Sequence, residues 1–129
     1  MNQRYLLDTQ IIYAVLQGST NDLPSKIVTL LGDEQNVIFV SVTSLWEIAI
    51  KRRIGKLGLN FDISLLPAII RSFGFAIMGI TELHVLAPVD PEIEHRDPFD
   101  RLLLSICCAE NVELVTVDRI LITHQRAWK

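Results

Sequence analysis

Short apolar runs alternate with longer helix-like segments along the chain, and this alternation limits the fold more than any other feature. The runs at 4–7, 37–42, 75–80 and 113–117 are rich in Leu, Val and Ile, as strands buried on both faces are. Strands that alternate with helices over short connections pair in a mostly parallel sheet with helices on both faces. We therefore expect an α/β fold, a three-layer α/β/α sandwich with a mostly parallel central sheet.

The segments between these runs are predicted helices, at 9–16, 23–32, 43–54, 63–72, 81–86 and 99–111. Residues 87–98 are rich in proline and acidic side chains and are predicted to form a loop. A chain of 129 residues fits one domain that can bury a core without disulfides or a structural metal. We expect a single domain over residues 1–129.

The composition limits both the class of protein and the kinds of partner that the chain can have. Half of the residues are hydrophobic and 21% are charged, which is typical of a folded globular chain. The net charge of -3 provides no general attraction to nucleic acid, so a phosphate backbone would need a local basic patch or bound cations. The adjacent Cys107 and Cys108 do not suit a disulfide, and no apolar run reaches the roughly 18 residues of a membrane span. These features favour a cytoplasmic protein with no membrane contact.

Four acidic residues follow strands or open helices. Asp8 and Asp118 come directly after the first and last predicted strands, and Glu47 lies a few residues beyond the second. Ligands of open parallel sheets bind beyond the carboxyl ends of the strands, so these three acids map to one edge. Asp100 opens the helix before the last strand and reaches that edge if the preceding loop packs back. The sequence thus predicts a cluster of carboxylates.

Each acid also has a purely structural explanation, because acidic residues cap helix N-termini and interact with the helix dipole. Ser44 and Glu47 have capping-box spacing, and Asp97 precedes Pro98 as an N-cap does, with Asp100 at the third helical position. Capping and metal binding are compatible, since a helix N-terminus helps to keep a carboxylate ionised, as a hard-metal ligand must be.

Several carboxylates in one place repel each other, and divalent cations relieve that repulsion. Mg²⁺ and Mn²⁺ prefer oxygen ligands and retain water molecules, which leaves positions open for a phosphate oxygen and an attacking water. One or two such ions can activate the water and stabilise the charge that develops during phosphodiester cleavage. The acids therefore predict metal-assisted hydrolysis.

Four sequence words together resemble the PIN-domain family, and within it the VapC-like toxins of bacterial toxin–antitoxin pairs. They are LLDT at 6–9, VSVTSLWEIAIKRRIGKL at 40–57, HRDPFDRLL at 95–103 and LVTVDRIL at 114–121. The resemblance implies a PIN-like fold and a ribonuclease that depends on Mg²⁺ or Mn²⁺. It also implies a homodimer and a cognate antitoxin that inserts a segment near the acidic groove.

By this resemblance the four acids form the catalytic metal site. Asp8 matches the first acid of the family, Glu47 the helix acid, Asp100 the acid that opens the penultimate helix, and Asp118 the acid after the last central strand. Asp8 and Asp100 are expected to be the firmest metal ligands, and Glu47 and Asp118 to complete the site directly or through water. Thr116 is expected to hydrogen-bond the carboxylates.

The chain departs from the family pattern in two places. Relatives often carry a His after LLDT, where this chain has Gln10, and often a further strand after the last acid. Here the chain ends at Lys129, so that final strand is expected to be short or absent. Asp97 lies beside the acids and is interpreted as an auxiliary residue, the N-cap of its helix.

Other side chains near the acids have less specific interpretations. A basic group is a candidate contact for RNA phosphates, or equally a solvated helix end that favours the dipole; it consists of Lys51, Arg52, Arg53 and Lys56. His95 is the nearest histidine, but a metal-bound water needs no histidine base. Trp46 alternates with apolar neighbours and is assigned to the core rather than to base stacking.

Three functions remain open from the sequence. The first is a metal-dependent endoribonuclease, the toxin of a toxin–antitoxin pair. The second, an aspartyl-phosphate phosphatase or receiver-like module, usually carries a second acid two residues after the first, where this chain has Gln10. The third is a catalytically silent PIN-like interaction module that keeps the fold and binds a partner.

Overall fold

A four-stranded, entirely parallel sheet forms the centre of the computed structural model, which describes residues 3–55, 58–93 and 97–129. The strand order is β3-β2-β1-β4. The strands are β1 (Arg4–Leu7), β2 (Val37–Ser41), β3 (Ala76–Met78) and β4 (Glu113–Val115). The predicted α/β fold with a parallel sheet is confirmed.

Six α-helices lie in the described part of the chain, one for each predicted helix. They are α1 (Thr9–Gln17), α2 (Ser25–Gly32), α3 (Val42–Arg53), α4 (Leu66–Ser72), α5 (Glu82–Leu86) and α6 (Pro98–Glu110). Short 3-10 turns add to them at Thr20–Asp22, Ile63–Leu65 and Leu121–Thr123. The connections between helices and strands are therefore as short as the alternating pattern predicts.

Several element boundaries differ from the predicted ones. The predicted helix 63–72 divides into a 3-10 turn and α4, because Pro67 lacks an N–H and suits the first turn of a new helix. The predicted strands 75–80 and 113–117 each contain only three strand residues, β3 and β4. After β4, the chain leaves the sheet at Thr116, which belongs to the candidate site described below.

The predicted capping box of Ser44 and Glu47 is wrong. Strand β2 passes directly into α3 through Ser41, whose hydroxyl accepts a hydrogen bond from the Thr43 N–H at 3.0 Å. Ser41 is therefore the N-cap, and Ser44 lies inside the helix. Glu47 consequently lies in the second turn of α3, where its side chain is buried.

Alternate residues of β1 face opposite sides of the sheet and pack into two separate hydrophobic clusters. Tyr5 and Leu7 pack in the cluster that includes residues of α1, α3 and α4, and Leu6 packs in the cluster built mainly from α6 and β4. Helical side chains thus cover the strand on both faces. This is why the strand runs are almost continuously apolar, as the sequence indicated.

The C-terminal segment pairs with the sheet through a single residue. The Leu114 N–H donates to the Arg126 carbonyl at 2.7 Å, and the Trp128 N–H donates to the Leu114 carbonyl at 2.8 Å, which makes one isolated bridge with Ala127. The expectation that the final strand is short or absent agrees with this single bridge, which is not part of a strand. His124 is buried and hydrogen-bonds the Pro91 carbonyl through Nε2 at 2.8 Å, so the segment is also attached to the loop that precedes α6.

Two further expectations concern the cysteines and the membrane. Both Cys107 and Cys108 are free thiols. Across the residues that the structure describes, no helix combines the length and the apolar character needed to cross a bilayer.

Candidate active site

Asp8 lies at the carboxyl end of β1, one of the two central strands, and is the N-cap of α1. Its Oδ1 accepts a hydrogen bond from the Thr9 N–H at 2.7 Å, and its Oδ2 accepts one from the Thr116 hydroxyl at 2.7 Å. The Asp8 N–H donates to the Val115 carbonyl at 2.9 Å and so continues the pairing of β1 with β4. Two strands therefore hold this carboxylate in one orientation.

Thr116 links Asp8 to the last of the four acids. Its hydroxyl donates to Asp8 and accepts a hydrogen bond from the Asp118 N–H at 3.0 Å. The Asp118 Oδ1 in turn accepts from the N–H groups of Ile120 and Leu121, at 2.8 and 3.0 Å. The predicted hydrogen bond from Thr116 to a carboxylate is confirmed, and Asp118 lies at the same sheet edge, where one of its oxygens caps the following turn.

Helix α3 contributes Glu47, a buried carboxylate. Its Oε2 forms an ion pair with Lys51 Nζ at 2.7 Å. Its Oε1 is buried and has no hydrogen-bond partner among the described residues. The helix is attached to the site by a hydrogen bond of 2.9 Å between the hydroxyls of Ser44 and Thr9. An unpaired buried carboxylate oxygen is costly unless a ligand satisfies it.

Helix α6 brings the fourth acid. Asp97 is the N-cap, as predicted, and its Oδ1 accepts from the N–H groups of Phe99 and Asp100 at 2.9 and 3.4 Å. Pro98 occupies the first turn, which its fixed φ and missing N–H suit. Asp100 is buried in that first turn, so the N-cap determines where its carboxylate enters the site.

The acids lie close enough to influence each other electrostatically. Asp8, Glu47 and Asp100 are only 3%, 6% and 9% exposed. Burial, with a smaller contribution from the negative charges of Asp100 and Glu47, raises the pKa of Asp8 from 3.8 to about 6, against the hydrogen bonds from Thr116 and Thr9. Asp8 at the end of β1, Glu47 on α3 and Asp100 on α6 are thus near enough for their charges to interact.

A comparison with known families agrees with this geometry. The family described as the PIN domain matches residues 5–126. The chain belongs to the PIN domain family. PIN domains are generally nucleases that use divalent metal ions, and the receiver-like alternative does not fit this membership. No curated protein matches the chain significantly.

The donor atoms of this PIN domain fit a hard divalent cation. All candidate ligands are carboxylate oxygens, and the unpaired Oε1 of Glu47 is the kind of buried acceptor that a cation satisfies. Within residues 3–55, 58–93 and 97–129, however, no group of three acidic, His or Cys side chains is arranged so that it could hold a metal ion. Oxygens of these acids have internal partners as well: Asp8 accepts from Thr9 and Thr116, Glu47 Oε2 contacts Lys51, and Asp118 Oδ1 caps a turn.

The predicted basic group occupies the last turn of α3. Lys51 contacts Glu47, whereas Arg52 and Arg53 form no ion pair with the described residues, although the charge of Arg52 acts on Asp62. The hydrogen bond that Lys51 donates to Glu47 raises the pKa of Lys51, and the negative charges of Glu47, Asp97 and Asp100 add to this against partial burial. Lys56 and His95, which the sequence analysis named, lie outside the described residues.

The assignment of Trp46 to the core is wrong. Its side chain is 60% exposed and packs edge-on against Phe99, with ring centroids 5.3 Å apart and an interplanar angle of 67°. Helix α3 buries the face that carries Ser44, Glu47 and Ile48, and Trp46 lies outside that face. The two aromatic side chains directly precede Glu47 and Asp100 in the chain, so they border the acidic cluster.

Two contacts of the site were missed from the sequence. The ion pair between Glu47 and Lys51 has the i,i+4 spacing of a helix pair, and that spacing was a usable signal. The hydrogen bond between Thr9 and Ser44 joins residues 35 positions apart and has no local signal. It depends on how α1 and α3 pack.

Proposed function

We propose that this PIN domain is an endoribonuclease that depends on Mg²⁺ or Mn²⁺ and hydrolyses RNA phosphodiester bonds. The observation that carries the proposal is the convergence of three buried carboxylates, Asp8, Glu47 and Asp100, from three different elements. Like charges buried together are costly unless positive charge compensates them, and a divalent cation supplies such charge.

Each residue of the site has a role in this proposal. Asp8 and Asp100 hold the cation directly, and Glu47 offers its unpaired Oε1. Asp118 acts directly or through water with the oxygen that does not cap the turn. When bound, the cation supplies an activated water and stabilises the charge that develops on the phosphate. Thr116 orients Asp8 through its hydroxyl hydrogen bond.

The auxiliary residues act by position. Asp97 holds the start of α6, so that Asp100 keeps its place at the sheet edge. At the end of α3, the basic residues contact RNA phosphates, which the net charge of -3 does not attract by itself. This predicted phosphate-binding group comprises Lys51, Arg52, Arg53 and Lys56.

We also infer that the protein, a single domain over residues 1–129, is the toxin of a toxin–antitoxin pair and a homodimer. The support is the likeness of the words at 40–57 and 95–103 to VapC-like toxins. Exposed apolar side chains on α5, Leu83 and Leu86, are consistent with protein contacts of this kind. The cognate antitoxin is then a partner that covers the acidic groove.

The test is a cleavage assay with labelled single-stranded RNAs and an Mn²⁺ titration. Wild type is expected to cleave only with the divalent ion, and Asp8→Asn and Asp100→Asn are expected to lose about 100-fold or more of that activity. Asp22→Asn, an exposed acid on the 3-10 turn Thr20–Asp22, is the control and is expected to retain it. Cleavage that persists in EDTA or in Asp8→Asn would refute the proposal.

One observation favours the alternative of a silent interaction module. Glu47 Oε2 and Asp118 Oδ1 already have partners within the protein, so part of the site is satisfied without a cation. This alternative is distinguished by calorimetry, because a silent module that uses its acids only structurally binds no Mn²⁺.

A further inference from the structure

The ion pair between Lys51 and Glu47 separates Lys51 from the rest of the basic group. Its ammonium lies 2.7 Å from Glu47 Oε2, while Arg52 and Arg53 contact none of the described acids. The Lys51 side chain extends along α3 over one helical turn, the spacing at which Glu and Lys side chains meet. In the metal-free protein Lys51 is therefore paired with an acid of the site.

Glu47 has two oxygens with different surroundings. One is paired with Lys51, and the other is buried with no hydrogen-bond partner among the described residues. A buried carboxylate needs a compensating positive charge, and Lys51 supplies the nearest one in the described part of the chain. The charges of Asp97 and Asp100 also act on this ammonium, so it compensates more than one acid.

A divalent cation that binds Glu47 lies close to the Lys51 ammonium. Both positive charges would then lie within a few ångströms of one carboxylate, and they repel each other. Lys51 can leave at little cost, because its side chain is 44% exposed and its flexible stem can turn into solvent. The unpaired Oε1 gives the cation a first contact before Lys51 moves.

We propose that Lys51 is a displaceable counter-cation of the acidic site: it neutralises Glu47 in the metal-free protein and competes with the divalent ion for that carboxylate. The inference rests on the proposed function, since it needs the acids to bind a cation. In this role Lys51 controls how readily the acidic site binds its metal ion. The site then fills at a higher concentration of Mg²⁺ or Mn²⁺ than the same carboxylates would need without the Lys51 ammonium.

The test measures Mn²⁺ affinity by calorimetry in wild type, Lys51→Gln, Lys51→Arg and Arg71→Gln. Lys51→Gln is expected to bind Mn²⁺ about fivefold more tightly, the size that a partly exposed ion pair suggests. Lys51→Arg keeps the charge and is expected to stay near wild type. Arg71→Gln removes the same charge from an exposed position at the end of α4, and its affinity is expected to be unchanged.

A second measurement uses the metal-free proteins and Glu47→Gln. Metal-free Lys51→Gln is expected to melt at a lower temperature than Arg71→Gln, because Glu47 loses its counter-charge. In a Glu47→Gln background, Lys51→Gln is expected to change Mn²⁺ affinity by less than about twofold, since the contested carboxylate is gone.

The outcomes separate this inference from the proposed function. If wild type binds no Mn²⁺, the proposed function fails and the competition fails with it. If wild type binds Mn²⁺ and Lys51→Gln binds it equally or more weakly, only the role of Lys51 is overturned. A lower melting temperature with unchanged affinity identifies Lys51 as a stabilising helix residue and also overturns the proposal.

Discussion

Replacing Asp8 by Asn tests how the ionisation of a buried acid changes the folding stability with pH. The pKa of Asp8 is raised from 3.8 to about 6 by burial and by the charges of Asp100 and Glu47. Between these two values the folded protein holds a proton that the unfolded chain has released. Folding stability contributed by this group therefore falls as the pH rises, and the loss is complete above about pH 6. The asparagine side chain has no charge and removes this dependence.

The size of the effect follows from the two pKa values. A gap of about two pH units corresponds to about 3 kcal/mol of destabilisation above pH 6. At about pH 4.5 the unfolded chain is already mostly ionised, so about 1 kcal/mol of that loss is present. The advantage of Asp8→Asn over wild type is thus expected to grow by about 2 kcal/mol between about pH 4.5 and pH 7.5. Constant effects of the amide on packing cancel in this difference.

The assay is urea unfolding of both proteins at the two pH values in EDTA, with Asp22→Asn as the control for removal of an exposed acid. The variant also removes the repulsion between the Asp8 charge and the charges of Glu47 and Asp100. This second effect favours the variant as well, so it cannot hide the first. If the difference between Asp8→Asn and wild type is the same at both pH values, or shrinks at the higher one, Asp8 is not a buried acid held against its neighbours and the electrostatic account of the site is incorrect.

Three further results are expected. Mn²⁺ at about 100 times its dissociation constant raises the unfolding free energy of wild type by about 2.7 kcal/mol, and EDTA reverses the gain in a thermal melt; no shift would contradict the metal site. Thr116→Val removes the donor to Asp8 and the acceptor for the Asp118 N–H, so urea unfolding should show a loss of about 1–3 kcal/mol, and an unaffected protein would contradict that linkage. Trp46→Ala is expected to lower the free energy of unfolding by about 2 kcal/mol or more less than the 3–5 kcal/mol that loss of a core tryptophan costs, because the Trp46 ring is mostly exposed. A loss as large as that of a core tryptophan in the same assay would show that Trp46 belongs to the core.

The fold was predictable because local signals and global topology agree. Apolar runs such as 37–42 and 113–117 mark strands that are covered on both faces, and the glycines and helix starts between them separate the helices. The errors occur at boundaries. Ser41 caps α3 although Ser44 has the better capping-box spacing, because the chain turns into the helix as soon as β2 ends.

The placement of acids at the sheet edge was predictable from the sequence, but their contacts were not. Acids after β1 and β4 belong at one edge of any parallel sheet, and the N-cap role of Asp97 follows from the proline after it. Trp46 was assigned wrongly because the residues of α3 that face the site are polar, so its apolar pattern does not mark the buried face. Hydrophobic periodicity does not predict the buried face of a helix when that face carries polar site residues such as Ser44 and Glu47.

The sequence by itself determined the strand and helix alternation, the order of the four acids along the chain and the edge of the sheet at which three of them belong. These are properties of neighbouring residues and of strand direction, which local propensity and periodicity encode. Only the tertiary structure decided that Asp100 joins them, that Thr116 connects Asp8 to Asp118, and that Lys51 meets a buried Glu47 whose second oxygen is unpaired. Burial and charge coupling arise when distant segments pack together, and free energies of that kind depend on distances in space that no spacing along the chain specifies.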